Sequence, residues 1–196
     1  YANFFNQKPE AAQALFDKKS RLPFAMRWIG DGMFISSEQE RLPSSLTKGT
    51  QVGAINGVPV AIVGQAFPYT PIANPRYLVA DWSFGIQDEN MQKVVDEVRA
   101  KGAQVVVLLS HNGMDVDLKM ASRVRGIDAI FGGHTHDGVP VAVPVPNPGG
   151  KTLVTNAGSN SKFLGLLDFD VKGGKVADFR YRLLPIFANQ LKADAE

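Results

Sequence analysis

The three histidines of this chain, His111, His134 and His136, all fall within one stretch of 26 residues. Near neutral pH an imidazole can move a proton or, when neutral, ligate a metal. Each of the three follows a short apolar run, VVVLL before Ser110-His111 and IDAIF before Gly132-Gly133 and the other two. A histidine buried for packing would fall instead on a periodic apolar face. In layered α/β proteins the crevice beyond the strand C-termini gathers polar loops over a rigid base and is where ligands and metals bind. The trio therefore reads as one candidate metal centre.

Gly132-Gly133 lets the chain turn closely, because neither residue carries a Cβ. In an extended strand the side chains of His134 and His136 would share a face about 6.6 Å apart; a tight turn could aim them at two ions about 3.5–4 Å apart. Imidazole donors suit Zn, Mn or Fe and argue against an all-oxygen Mg or Ca site. Three neutral imidazoles cannot offset two divalent charges, so carboxylates are also required. Asp115 and Asp117 read as a charge pair at a helix start, and Asp128 lies inside a strand pattern. Asp137 could orient a ligand histidine through its second nitrogen or hold the turn by a side-chain to backbone bond. None of them reads as a bridge between ions, so the visible ligand set is incomplete. A Ser-His-Asp triad is a poor alternative, since Ser110 cannot aim at the adjacent His111 in an extended chain.

The elements that must position these residues are readable in part. Asp88 to Ala100 is the clearest helix, with Met91, Val94, Val95 and Val98 at helical spacing, acidic residues at its start and Gly102 beyond its end. AQVVVLL (103–109) and IDAIF (127–131) read as buried strands, with a helix from Asp115 to Arg125 between them. Upstream, Asn56-Gly57 is a hairpin signal between strands near 51–55 and 58–64. FPYTPIANPR, with three prolines, reads as a rigid loop rather than an element. HTHDGVPVAVPVPNPGG also reads as a loop. TLVTNA, FLGLLDFDV and KVADFRYRLL read as strands, the last two joined by a turn at Gly173-Gly174. A short helix is expected over Pro9–Lys19, while 22–50 shows no usable period. This alternation specifies a layered α/β protein.

Composition removes several classes of function. The chain has 196 residues, 44% hydrophobic and 20% charged, and no apolar run approaches the roughly 18 residues of a membrane span. A formal net charge of +2, with basic residues scattered, offers no stripe for a nucleic-acid backbone. The absence of cysteine excludes disulfides, thiolate metal sites and cysteine nucleophiles. The opening YANFFNQKPE has neither an initiating Met nor the order of a signal peptide, and the chain is expected to begin inside a longer precursor.

SHNG (110–113) and GGHTHD (132–137) resemble the two C-terminal signature blocks of the binuclear metallophosphoesterases, in the branch that contains the 5′-nucleotidases. GQAFPYTPIANPR (64–76), the segment from Asp81 to Gly138, and that from Thr152 to Pro185 are similar more specifically to the SoxB thiosulfohydrolases of the periplasmic sulfur-oxidising system. The likeness covers roughly 51–190.

That resemblance implies an α/β fold, part of a four-layer α/β/β/α sandwich, divided as follows: residues 1–50 as an N-terminal portion of the metal domain, 51–190 as its central and C-terminal part, and 191–196 as the start of a linker to a further domain. It implies two divalent ions, Mn2+ with Zn2+ as the other candidate, and no organic cofactor. His111 and His134 would ligate one ion and His136 the other, with Asp137 behind them. The loop with Asn156, Gly158, Ser159 and Asn160 would line the substrate pocket or serve as a plain turn; Ser161 stands where the family has a glycine before lysine. The implied reaction is cleavage of the sulfur–sulfur bond of a thiosulfonate on the cysteine of a swinging-arm carrier protein (SoxYZ-like), releasing sulfate in the periplasm, with no nucleic-acid or membrane partner. A 5′-nucleotidase-like phosphomonoesterase is the alternative, and an inactive, metal-deficient piece is another. The family's Asp-x-His block, bridging aspartate and Gly-Asn-His-Glu-like block have no counterpart before residue 50. The 196 residues alone are therefore expected to be inactive.

Overall fold

The computed structural model describes residues 25–29, 32–36, 52–75, 77, 84–187 and 189. The helix expected over Pro9–Lys19, most of 1–50, and 191–196 lie outside the described residues.

Six strands form the central sheet in the order β3-β4-β5-β6-β8-β7: β3 (Val52–Ile55), β4 (Val58–Gln65), β5 (Val105–Ser110), β6 (Ala129–Gly132), β7 (Val143–Asn147) and β8 (Gly150–Asn156). The four inner strands β4, β5, β6 and β8 run parallel, and β3 and β7 close the edges antiparallel. Asn56 and Gly57 make the β3–β4 turn with φ of 50° and 77°, the left-handed pair that matches the twist of a two-residue hairpin.

Alternation along the inner strands sorts their side chains into two cores. Ala61, Val63, Val106, Leu108, Ile130 and Val154 face one side and pack with α2 (Asp88–Ala100) and α3 (Met114–Arg123). Val60, Val105, Val107, Ala129 and Leu153 face the other. There they meet Phe169, Val171 and Tyr181 of the hairpin formed by β9 (Phe163–Lys172) and β10 (Lys175–Pro185). Continuously apolar strands are what a sheet covered on both faces requires. The described residues thus stack as helices, a mixed sheet and a second sheet, the layered α/β architecture expected from the sequence.

Helix α2 buries Met91, Val95 and Val98 on its sheet-facing side, each worth roughly 1.5–3 kcal/mol of transfer free energy before chain entropy is counted. Arg99 anchors its C-terminal end: the guanidinium donates to the Gly126 carbonyl at 2.7 Å, the Ala103 carbonyl at 3.0 Å and the Asp128 carboxylate at 2.5 Å. Asp128 also accepts the Val106 N–H. Its place in the strand pattern therefore conceals a brace between helix and sheet, remote from metal chemistry.

Three readings of the sequence change. The proline-rich loop after β4 contains a helical turn, α1 (Thr70–Ala73), because Pro71 occupies the first turn, where no donor is missed. The loop read through 134–150 contains β7, whose Pro144 and Pro146 would disqualify an inner strand. At the sheet edge, residues two apart aim their nitrogens the same way, and these two point away from β8. Within the unreadable 22–50 stretch, β1 (Ala25–Ile29) and β2 (Gly32–Ser36) pair antiparallel.

Candidate metal centre

Parallel strands end on the same side, and the register places Gln65 beside Ser110 and Gly132 beside Asn156. The His111 N–H extends the ladder by donating to the Gln65 carbonyl at 2.9 Å. After β6 the backbone turns sharply: Thr135 N–H returns to the Gly133 carbonyl at 2.8 Å, and His134 and His136 both adopt left-handed conformations with φ of 67° and 59°. Such backbone costs of order 1–3 kcal/mol per non-glycine residue and clusters at functional sites. A Cβ on Gly133 would stand 3.3 Å from the Ser110 carbonyl and 3.4 Å from His111 Nδ1. The glycine thus permits the approach of the two strand ends.

The result is that the His111 and His134 rings meet edge to face with centroids 5.1 Å apart. His136 is exposed yet close enough for its charge to act on His111. Burial first, then the charges of His134 and His136, push the His111 imidazole below its ordinary range. The direction favours the neutral imidazole, the form that donates a lone pair to a metal.

Phe67 is a component that the sequence reading assigned only to a rigid connector. Its ring stacks on His134 with centroids 4.1 Å apart and planes 29° apart, and meets His111 edge-on at 6.0 Å. The signal was present in its position two residues past the end of β4, the strand beside the one that leads into His111.

Asp115 and Asp117 both lie in the first turn of α3, as read; what the sequence did not show is that Asp117 is fully buried while Asp115 is exposed. Asp117 Oδ1 accepts the Ser110 hydroxyl at 2.5 Å and the Asn112 amide at 3.2 Å. Burial dominates the balance and raises its carboxyl to about 6, against the opposing effect of these two hydrogen bonds.

Asp137 accepts the Thr135 hydroxyl, which in turn accepts the Met114 N–H at the start of α3. Its backbone carbonyl accepts the Gly158 N–H at 2.8 Å. Asn156 is buried, and its carbonyl accepts the Val139 N–H at 2.9 Å. The loops after β6 and β8 are thereby joined. Gly158 has φ of 74° and lies under the Phe163 ring; Ser159 is half-buried, and the exposed Asn160 continues the turn with φ of 54°.

The donor chemistry fits the imidazole part of a divalent metal centre. His111, His134 and His136 would hold the ion or ions, with Phe67 limiting the rotation of His134. Among the described residues no group of three or more His, Cys, Asp or Glu side chains is arranged to hold a metal ion; of the nearby carboxylates, Asp137 accepts from Thr135 and one oxygen of Asp117 accepts from Ser110 and Asn112. Among the described residues, too, no helix is long and apolar enough to cross a membrane.

No family model matches the chain. Individual proteins do. Rat (Rattus norvegicus) 5′-nucleotidase is 30% identical over 146 residues, 66% of this chain and 25% of the relative. Among solved structures, the sulfate thiohydrolase SoxB of Thermus thermophilus, in complex with glycerol, superposes with a TM-score of 0.66 at 35% identity, over 75% of this chain and 26% of that one. A 5′-nucleotidase precursor, also from Thermus thermophilus, superposes with a TM-score of 0.65 at 29% identity, over 94% of this chain and 38% of that one. The chain spans about a quarter of the curated relatives named first.

Proposed function

This chain belongs to the 5′-nucleotidase-like, calcineurin-like binuclear metallophosphoesterase superfamily, and on that premise we propose that it supplies the imidazole half of a metal-dependent hydrolase centre acting on thiosulfonate. The observation that carries the hydrolase reading is the convergence of His111 and His134 at 5.1 Å across two parallel strand ends. When bound, two divalent ions supply Lewis-acid charge at the attacking and leaving atoms. The chain's own contribution is to pack His134 against Phe67 and to hold the strand ends together. The remaining ligands, carboxylates among them, come in this reading from a segment other than the described residues.

The finer assignment is thiosulfohydrolysis: attack of water on the sulfonate sulfur of carrier-bound thiosulfonate, with cleavage of its sulfur–sulfur bond, so that sulfate is released and the leaving sulfur stays on the carrier as thiolate, in the periplasm and with Mn2+ as the metal. It is supported by the 35% identity to the SoxB structure over three quarters of this chain, and by the GQAFPYTPIANPR segment that brings Phe67 to the centre. A 5′-nucleotidase-like phosphomonoesterase is the second reading. It is favoured by the curated relatives, several of them 5′-nucleotidases at 27–31% identity. Turnover of the complete, Mn2+-loaded protein on carrier-bound thiosulfonate and on nucleoside monophosphates, side by side, tests the choice. Sulfate release with little phosphate release is expected; the reverse preference establishes the nucleotidase reading.

A further inference from the structure

Asp117 carries more buried polarity than its place in a helix requires. Its Oδ2 has no hydrogen-bond partner among the described residues, and neither does Oδ1 of Asn112. A buried carboxylate with an unpaired oxygen costs stability. An apolar side chain would fill the same space at lower cost. What the carboxylate provides is an acceptor.

We propose that Asp117 is a positioning residue for the metal centre, one carboxylate that clamps the turn on both sides of His111 and abuts the strand end from which His134 departs. The inference rests on the reading of the histidines as metal ligands. Ser110 and Asn112 are the immediate neighbours of His111, and both bond the same oxygen of Asp117. The Asn112 N–H closes the loop by donating to Ser110 Oγ at 3.1 Å. Reorienting the His111 backbone must therefore break a buried, closed network.

The other carboxylate oxygen faces β6. A Cβ on Gly132 would lie 2.8 Å from Asp117 Oδ2, 3.1 Å from the Thr155 carbonyl and 3.6 Å from Asn156 Nδ2. The glycine leaves room for Asp117 against the strand that leads into His134, so one side chain sets the relation of the two histidine loops. Partners behind metal ligands commonly change affinity by about 10- to 100-fold when removed.

The test is calorimetric Zn2+ titration of the complete protein, together with imidazole NMR of the metal-free form. Asp117→Ala is expected to weaken Zn2+ binding about tenfold or more and to shift the His111 imidazole resonances. Asp117→Asn keeps an acceptor oxygen and is expected to stay within about threefold of wild type; absence of this rescue overturns the acceptor argument. Val98→Ala, a cavity variant in the α2 core, is the stability control and is expected to bind Zn2+ normally. Unchanged affinity and imidazole resonances in Asp117→Ala, or an equal loss in Val98→Ala, overturns the proposal. Should Asp117→Ala fail to fold, Ser110→Ala decides: a loss of about threefold or more with shifted His111 resonances supports the clamp, and wild-type behaviour overturns it. If the wild type takes no Zn2+, the metal-centre reading fails instead, and the metal-free His111 resonances then decide the role of Asp117 alone.

Discussion

His134 lies against the face of Phe67, ring centroids 4.1 Å apart, while an edge-to-face contact joins it to His111. The stack reaches from the loop after β4 across the end of β5 to the loop after β6. Removing the ring with Phe67→Ala should cost about 0.5–1.5 kcal/mol beyond lost area. It should also erase the ring-current shift of the His134 imidazole protons. NMR of the metal-free protein checks both the contact and its partner, and unaltered His134 resonances would contradict the stack.

Asp117 should make stability depend on pH in an unusual direction for a carboxylate. Its carboxyl is raised from 3.8 to about 6 in the folded protein. The folded state therefore binds its proton more tightly than the unfolded state, and this contribution is fully present below about pH 3.8 and lost as pH rises through about 6. Relative to Asp117→Asn, wild type should lose up to about 3 kcal/mol between pH 4 and 7. The lowered His111 acts oppositely over the same range, so the measurement is the difference between denaturant midpoints of the two proteins. A pH-independent difference would show that the carboxyl is not raised.

Gly113 precedes α3 with φ of 100°, and a Cβ there would stand 3.0 Å from Thr135 Cγ2. Gly113→Ala should therefore destabilise the fold by about 1–3 kcal/mol and displace the Thr135 side chain that links Met114 to Asp137. A urea midpoint measures the first effect and Thr135 methyl resonances the second. A neutral substitution would argue against this packing.

Metal uptake separates these residues from a complete binuclear centre. Among the described residues no three-carboxylate-or-imidazole group is assembled, and two divalent charges need anionic ligands to offset their repulsion. The 196-residue chain is expected to bind at most one divalent ion, weakly, and to lack steady-state hydrolysis. Supplying an Asp-x-His and bridging-aspartate segment should bring the second ion and activity together. His134→Ala in that restored protein should abolish most turnover while costing no more stability than Phe67→Ala, since the side chain is exposed apart from its stack on Phe67. Elemental analysis paired with turnover checks this, and two tightly held ions in the chain alone would contradict it.

Helix α2, the β3–β4 hairpin and the buried strands β5 and β6 are readable in the amino-acid sequence. Their signals are local: an apolar stripe at helical spacing, an Asn-Gly turn, and valine runs bounded by glycine. The histidines stand out for the same reason, since each lies a few residues past such a run. Asn56 and Gly57 need only their own backbone preferences to define a turn.

What those local signals leave open is which distant groups share a site. Asp117 has the sequence context of any acidic residue in a first helical turn, and only the packing of α3 against β6, β7 and β8 turns it inward onto Ser110 and Asn112. Phe67 lies among prolines, and its stack on His134 depends on β4 and β6 both flanking β5. Pro144 and Pro146 look like loop residues until β7 proves to be an edge, where a missing donor costs nothing. Sequence spacing determines periodicity and turns because these depend on neighbours a few residues away. Burial, charge environment and contact between strand ends depend on how the sheet is ordered, and that is decided by the tertiary structure.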